Sequence, residues 1–227
     1  MITIAHVIAI DGTSASGKGT ICKTLANKLG WNFLDSGAIY RVLALAALQH
    51  NIDIKSEHSL ANLAKNLNIN FISKQDIFKV FLDNKDITNL IKTEEIGNLA
   101  SKTAILPIVR KSLLVHQRSF RVSPGLIADG RDMGTVVFPD ASVKIFLDAS
   151  IQERTKRRMK QLQKKGLYVN FKQLLNKIQE RDHRDQIRFF SPLIKDKNAL
   201  ILDSTNMSIE DVFKKIYTYI KKTLELS

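Results

Sequence analysis

The run Gly12-Thr13-Ser14-Ala15-Ser16-Gly17-Lys18-Gly19-Thr20 sets a lysine directly behind the second of two glycines that stand five positions apart. That spacing can cradle phosphate. Successive backbone N–H groups converge on anionic oxygens, and a helix that starts there adds the partial positive charge of its N-terminus. Lys18 then reaches the outer phosphates of a nucleotide. The ligand these residues imply is a nucleoside triphosphate. Most loops of this kind place a Ser or Thr straight after the lysine, where its hydroxyl meets Mg²⁺. Here Gly19 takes that position, and Thr20 offers a hydroxyl one residue later.

Four further segments carry charged groups at spacings that could serve a polyphosphate. In Asp35-Ser36-Gly37-Ala38-Ile39-Tyr40-Arg41, a strand end and a Gly turn would aim Arg41 into a ligand cleft. The plainer alternative is a helix capped by Ser36 with an exposed arginine. Gly125-Leu126-Ile127-Ala128 is an apolar run that ends in Asp129-Gly130-Arg131-Asp132. Asp129, beside a phosphate loop, is a candidate partner for Mg²⁺ or for a water bound to it. Arg154, Lys156, Arg157, Arg158, Lys160, Lys164 and Lys165 fall within twelve residues with no acid among them. They form either a solvated helix face or one whose self-repulsion a polyanion relieves. Arg181, Asp185 and Arg188 follow spacings of four and three, so they share a helical face, to meet a ligand or to pair with one another. His6, His50, His58, His116 and His183 fit no Ser-His-Asp or metal-ligand pattern, and none is assigned a catalytic role.

Positioning these groups falls to alternating strands and helices. Val7–Ile10, Gly125–Ala128, Val143–Leu147 and Leu200–Leu202 are continuous apolar runs, with Phe33-Leu34 a shorter one, as in strands covered on both faces. Helical spacing predicts helices over about 18–29, 37–49, 94–120, 150–165, 170–187 and 208–225, with capping signals at Ser150–Glu153 and Ser208–Asp211. The fold class is therefore α/β: a doubly wound parallel sheet of about five strands with flanking helices, its ligands at the carboxyl ends of the strands. Between about 69 and 90 the pattern alternates, as in Phe78-Lys79-Val80-Phe81-Leu82, flanked by polar turns at Ser73–Asp76 and Asp83–Asp86. That predicts a small antiparallel β insert.

A chain of 227 residues suits one domain with excursions or two small ones, and 44% hydrophobic residues supply a core. Lys and Arg outnumber Asp and Glu 35 to 22, giving +13, which suits nucleic acid, an anionic membrane or anionic small substrates. Cys22 is the only cysteine, which excludes an internal disulfide and a cysteine metal cluster. On the helix behind the loop it reads as a small core residue. No signal-sequence pattern opens the chain and no apolar run approaches membrane-spanning length, so a cytoplasmic protein is expected.

Gly17-Lys18-Gly19-Thr20 resembles the loop of nucleoside monophosphate kinases. With the Asp35–Arg41, Leu126–Pro139 and Val143–Ser150 stretches and the insert near 69–90, nearly the whole chain resembles the bacterial-type cytidylate kinases, P-loop enzymes. The resemblance implies transfer of the γ-phosphoryl of ATP, taken as MgATP, to CMP or dCMP. It implies a core of 1–35, 99–149 and 189–227, and a monophosphate-binding part of 36–98 that holds the insert at about 66–92. A lid of about 150–170 would lead into a helix over 170–188. Gly12, Thr13, Ser14, Ala15, Ser16, Gly17, Lys18, Gly19 and Thr20 would bind ATP. Lys18 and Arg131 would act on the transferred group, with Arg157 or Arg158 on a lid that closes over ATP and excludes water. Asp132 and Ser101, with Arg110, would contact the base; Arg41 and Arg131 would hold the acceptor phosphate. Arg181 and Asp185 would face the sugar and Arg188 would lie near the phosphates, with Ser36, Tyr40 and Gly130 completing the pocket. Asp129 and Thr20 are the candidate Mg²⁺ contacts. Thr13 stands where the family usually has proline, and Ser191 where it usually has alanine. The first departure is expected to loosen the start of the phosphate loop.

Base choice follows from hydrogen bonding. Cytosine offers an amino donor where uracil has a carbonyl, so a carboxylate accepts from one and repels the other. No general base is required, because a phosphate oxygen is already largely ionised near pH 7. The expected partners are ATP and CMP or dCMP, with no nucleic acid, no membrane and a monomeric chain. Rival readings are a P-loop kinase of UMP, a deoxynucleoside or shikimate, and a nucleic-acid binder that uses the +13 charge. An NTP-driven switch is the third, for which no guanine-reading Asn-Lys-x-Asp segment is present.

Overall fold

β1 (His6–Gly12) is the middle strand of a five-stranded parallel sheet in the computed structural model of the chain, which describes residues 5–74 and 77–225. With β2 (Asn32–Asp35), β6 (Gly125–Asp129), β7 (Val143–Asp148) and β8 (Leu200–Asp203), the order is β2-β6-β1-β7-β8. Ala9 stands opposite Ala128 on one side and Lys144 on the other. Val7–Ile10 are fully buried and divide by alternation. Val7 and Ala9 join one core cluster, Ile8 and Ile10 another on the opposite face. Each strand carries an aspartate at or next to its carboxyl end: Asp11, Asp35, Asp129, Asp148 and Asp203. The sheet thus presents one polar edge, at the point where the order reverses around β1 and where such folds bind ligands.

Helices α1 (Lys18–Leu29), α2 (Ser36–Gln49), α3 (Glu57–Lys65), α4 (Glu94–Thr103), α5 (Pro107–Ser119), α6 (Ile151–Gln163), α7 (Phe171–Ile187) and α8 (Ile209–Leu224) complete the frame. The single helix expected over 94–120 is two. Leu106 is extended, as the residue before a proline prefers, and Pro107 opens α5. α3 matches no expected helix; its buried stripe is only Leu60, Ala61 and Ala64. Ser150 and Ser208 cap α6 and α8 by accepting from the N–H groups of Glu153 and Asp211. α2 is capped by Asp35, which accepts from Ala38, and not by Ser36.

The alternating segment forms a separate antiparallel sheet of β3 (Ile69–Lys74), β4 (Ile77–Leu82) and β5 (Lys85–Asp86). The first of its two expected turns, Ser73–Asp76, falls partly on residues 75 and 76, outside the described residues. At the second, Asp83 and Asn84 take left-handed φ of 48° and 63°. Phe78 docks the insert on the main sheet, edge-on to Phe33 at 5.3 Å. Leu162, Leu174 and Ile178 form a small cluster of their own that clasps α6 to α7. Among the described residues no helix is long and apolar enough to cross a membrane.

Candidate active site

The loop after β1 depends on glycine at two points. A Cβ on Gly12 would lie 1.9 Å from the Leu147 carbonyl oxygen of β7, so no other residue fits there. Gly17, at φ 101°, is the left-handed residue that turns the loop into α1. Lys18 is buried and donates to the Thr13 carbonyl at 2.6 Å, folded back over the loop. Burial, together with the charge of Arg131, brings its ammonium down to about 8, while Asp129 and Asp11 act to hold it up. Thr13 does not loosen the loop start. Its hydroxyl donates to Asp148 at 2.6 Å and ties the loop to the end of β7.

Helices α6 and α7 grip the same loop. Arg154 pairs with Asp182 of α7 and donates to the Ser14 carbonyl at 3.1 Å, so it is a buried strut and not part of a solvated face. Arg157 donates to the Ser16 carbonyl at 3.2 Å and to that of Ser204 at 2.6 Å. Arg158 forms an ion pair with Glu94 of α4.

A cleft of about 520 Å³ runs from this loop along the polar edge of the sheet. Of the residues singled out in the sequence, Ser14 to Thr20, Ser36, Tyr40, Arg41, Ser101, Arg110, Asp129, Gly130, Arg131, Asp132, Arg158, Arg181, Asp185 and Arg188 all line it. Gly12, Thr13 and Arg157 do not; they support the loop from behind. Arg41 is no exposed cation: it donates to the Ile91 and Thr93 carbonyls at 2.7 and 3.1 Å. Arg131 donates to Asp185 at 2.7 Å, across elements, although Asp185 also has Arg188 of its own helix end at 3.9 Å. Arg181 has a buried Nε with no hydrogen-bond partner. Burial and the charges of Arg131, Arg41 and Arg158 lower its guanidinium to about 10. That pocket holds more positive charge than its own acids neutralise.

At the far end Arg110 and Asp132 form a buried ion pair, and Arg110 lies over the Tyr40 ring at 5.5 Å. The Tyr40 hydroxyl, Arg110 Nε and Arg188 Nη2 are buried there without hydrogen-bond partners. Arg188 sits 3.8 Å from Asp132 and 3.9 Å from Asp185, between the Arg110–Asp132 pair and the Arg131–Asp185 pair. Ser36 accepts from Gln117 at 2.8 Å, and Ser101 accepts from Arg184 at 3.3 Å.

Asp11 was marked by no motif. It is buried, and its two carboxylate oxygens accept from the N–H groups of Met133 and Gly134, both at 2.8 Å. Those N–H groups open a π turn over Met133–Val137, directly after Asp132. Asp11 therefore couples the phosphate loop to the segment that carries Arg131 and Asp132. Its one signal in the sequence is an acid at the end of an apolar strand, immediately before the first glycine of the loop. Burial raises its carboxyl to about 7 despite those two bonds.

The donor set suits a hard cation bound with a nucleotide. A Cβ on Gly19 would stand 3.3 Å from Asp129 Oδ2, so glycine keeps that carboxylate open to the loop. Burial lifts the Asp129 carboxyl to about 6, Lys18 lowers it, and Asp35 raises it further. Thr20 is exposed at the same end of the cleft. No cluster of three acidic, histidine or cysteine residues among the described residues forms a metal cage alone. Phosphate oxygens would supply the remaining ligands.

A parallel α/β sheet with a phosphate loop at its switch point, facing a second cationic pocket across one cleft, defines a phosphotransferase of the nucleoside monophosphate kinase class. The sequence matches the cytidylate kinase family over residues 8–222. It is 59% identical over 227 residues to the cytidylate kinase of Photorhabdus laumondii, covering all of both chains. It is 58% identical to that of Proteus mirabilis over 222 residues, covering 98% of this chain and 99% of the relative. The chain belongs to the cytidylate kinase family.

Proposed function

We propose that this protein transfers the γ-phosphoryl group of ATP to CMP or dCMP, giving ADP and CDP or dCDP. One observation carries the reading: a single cleft joins the phosphate loop to the buried Arg110–Asp132 pair, with Arg41, Arg131, Arg158 and Arg181 lining it. Asp132 accepts from the cytosine amino group, and Arg110, Arg188, Tyr40 and Ser101 complete the base pocket. Arg181 and Asp185 face the sugar, and Arg41 and Arg131 hold the acceptor phosphate.

Two phosphate dianions about 5 Å apart repel by on the order of 10 kcal/mol at an effective dielectric near 20. Catalysis is therefore mostly neutralisation and alignment. An oxygen of the acceptor phosphate forms a bond to the γ-phosphorus, and the bond to the β,γ-bridging oxygen breaks in line. No general base takes part. Lys18, Arg131 and Arg158 spread the charge of the transferred group. Mg²⁺, held by Asp129 directly or through water and by Thr20, would screen the ATP phosphates. Residues 36–98 serve as the monophosphate-binding part, about 150–170 as the lid leading into the helix over 170–188, and 1–35, 99–149 and 189–227 as the core. In this reading the chain acts as a cytoplasmic monomer, and its +13 charge serves anionic substrates and not nucleic acid.

The test is ADP release from MgATP with CMP, dCMP, UMP, AMP and GMP offered separately. Turnover confined to CMP and dCMP is expected. Turnover with another acceptor would overturn the base assignment, and none at all would shift weight to the nucleic-acid reading.

A further inference from the structure

Glu94 has no part in the chemistry above, yet it lies among the arginines that do. It stands in the first turn of α4, behind the Thr93 cap, and lines the cleft. Arg158 reaches across from α6 to pair with it, with the two side chains 24% and 49% exposed for Arg158 and Glu94. Arg41 lies against the same turn of α4. Its guanidinium bonds the Ile91 and Thr93 carbonyls and fills the space a Cβ on Gly97 would need, at 2.6 Å. Partial burial acts to raise the Glu94 carboxyl, but the hydrogen bond and charge of Arg158, with the charges of Arg41 and Arg181, leave it below the ordinary range. A carboxylate on the acceptor side of the cleft thus holds the one lid arginine that lines it.

We propose that Glu94 is a positioning residue that keeps Arg158 on the acceptor side until the monophosphate arrives, and so favours the acceptor over water. This rests on the phosphoryl-transfer reading above. With ATP alone, Glu94 competes for Arg158 and the charge around the γ-phosphoryl stays incomplete. The acceptor phosphate dianion at Arg41 and Arg131 adds a stronger anion beside Glu94, and the two phosphates together draw Arg158 away from the single carboxylate. The side reaction that Glu94 suppresses is hydrolysis. A water oxygen bonds to the γ-phosphorus, the bond to the bridging oxygen breaks, and ADP, inorganic phosphate and a proton are released.

Glu94→Gln keeps size and removes charge at a half-exposed position. It should raise ADP release from MgATP without acceptor, relative to CMP-dependent transfer, by roughly fivefold, the fold-change a partly exposed ion pair is worth. KM for ATP measured without CMP should fall in step, with kcat for transfer to CMP close to wild type. Glu94→Asp, which retains the charge, should move the ratio back toward wild type, and Glu95→Gln, on the same turn but with no ion pair among the described residues, should leave it unchanged. An unchanged hydrolysis-to-transfer ratio in Glu94→Gln, with CMP phosphorylated normally, overturns this inference alone. A wild-type protein that does not phosphorylate CMP overturns the reading beneath it.

Discussion

Replacing Asp132 by asparagine tests the base pocket most directly. Asp132 is 2% exposed and Arg110 8% exposed, so the change removes one charge from a nearly dry ion pair while keeping its shape. A hydrogen bond to a charged partner contributes about 1.5–3 kcal/mol. At tenfold per 1.4 kcal/mol, kcat/KM for CMP should fall about 10- to 100-fold. UMP should suffer less, because an asparagine amide can turn its N–H₂ toward the uracil carbonyl that a carboxylate repels. The CMP/UMP ratio of kcat/KM should therefore drop at least about tenfold. Stability should fall as well, since Arg110 and Arg188 keep their charges and lose their shared counter-ion; breaking such a buried pair costs about 3–5 kcal/mol. Urea unfolding measures that loss separately from the coupled ADP assay. A folded variant with an unchanged CMP/UMP ratio would refute the assignment, and where that ratio holds because both acceptors lose equally, Asp132 is only a support for Arg110.

Lys18→Ala should cut kcat by about 100- to 1000-fold, as loss of one group aimed at developing charge does, and leave CMP binding by calorimetry within a few-fold of wild type. Thr13→Val removes the hydroxyl bonded to Asp148 and should raise the Kd for ATP about tenfold, since a bond to a carboxylate is worth about 1.5 kcal/mol or more; an unaltered Kd would mean that the loop holds itself. For Asp11 the folded-state pKa of about 7 lies above its ordinary 3.8, so between those values the native state holds a proton that the unfolded chain has released. Stability should fall as pH rises through that window, by on the order of 4 kcal/mol for this group, and the curve for Asp11→Asn should be flatter there in denaturant titrations.

The frame was legible because each strand of the main sheet is an apolar run, and three of the motifs, Gly12–Thr20, Asp35–Arg41 and Asp129–Asp132, sit at the end of one. The loop at Gly12–Thr20 and the Asp129–Asp132 segment needed only local pattern. What escaped depends on partners far apart in the chain. Arg154 looked like one of seven solvated cations, and only folding brings Asp182, 28 residues on, against it. Asp11 caps a turn that begins 122 residues later, and nothing in its own neighbourhood records that. Arg188 was set near the phosphates by the resemblance, its spacing showing only a face shared with Arg181 and Asp185. It caps the end of α7, between Asp185 at 3.9 Å and Asp132 at 3.8 Å, and the second of these partners is too far away in the sequence for local spacing to record. α3 escaped for a different reason: a three-residue buried stripe within nine residues is too short for periodicity to register.

The pattern of unmet hydrogen bonds says what the cleft is for. Five buried side-chain polar atoms lack a partner among the described residues, and four of them, on Tyr40, Arg110, Arg181 and Arg188, belong to residues that line this one cleft. Each costs about 1–3 kcal/mol when left unmade, a sum comparable with the whole stability of an ordinary domain. A fold evolved for stability alone would fill those positions with apolar side chains, and Arg181, lowered to about 10 among Arg131, Arg41 and Arg158, would be the first to go. Their retention makes sense only if a ligand brings both the anion and the hydrogen-bond acceptors that the protein omits. Both needs meet in one cleft: in the proposed reading the phosphate lies at Arg41 and Arg131 with the sugar beside Arg181, and the flat polar base lies beside Arg110. A free polyphosphate would meet only the first and a free base only the second. A nucleoside monophosphate meets both, and at the phosphate end it arrives within reach of Lys18 and the loop that holds the donor.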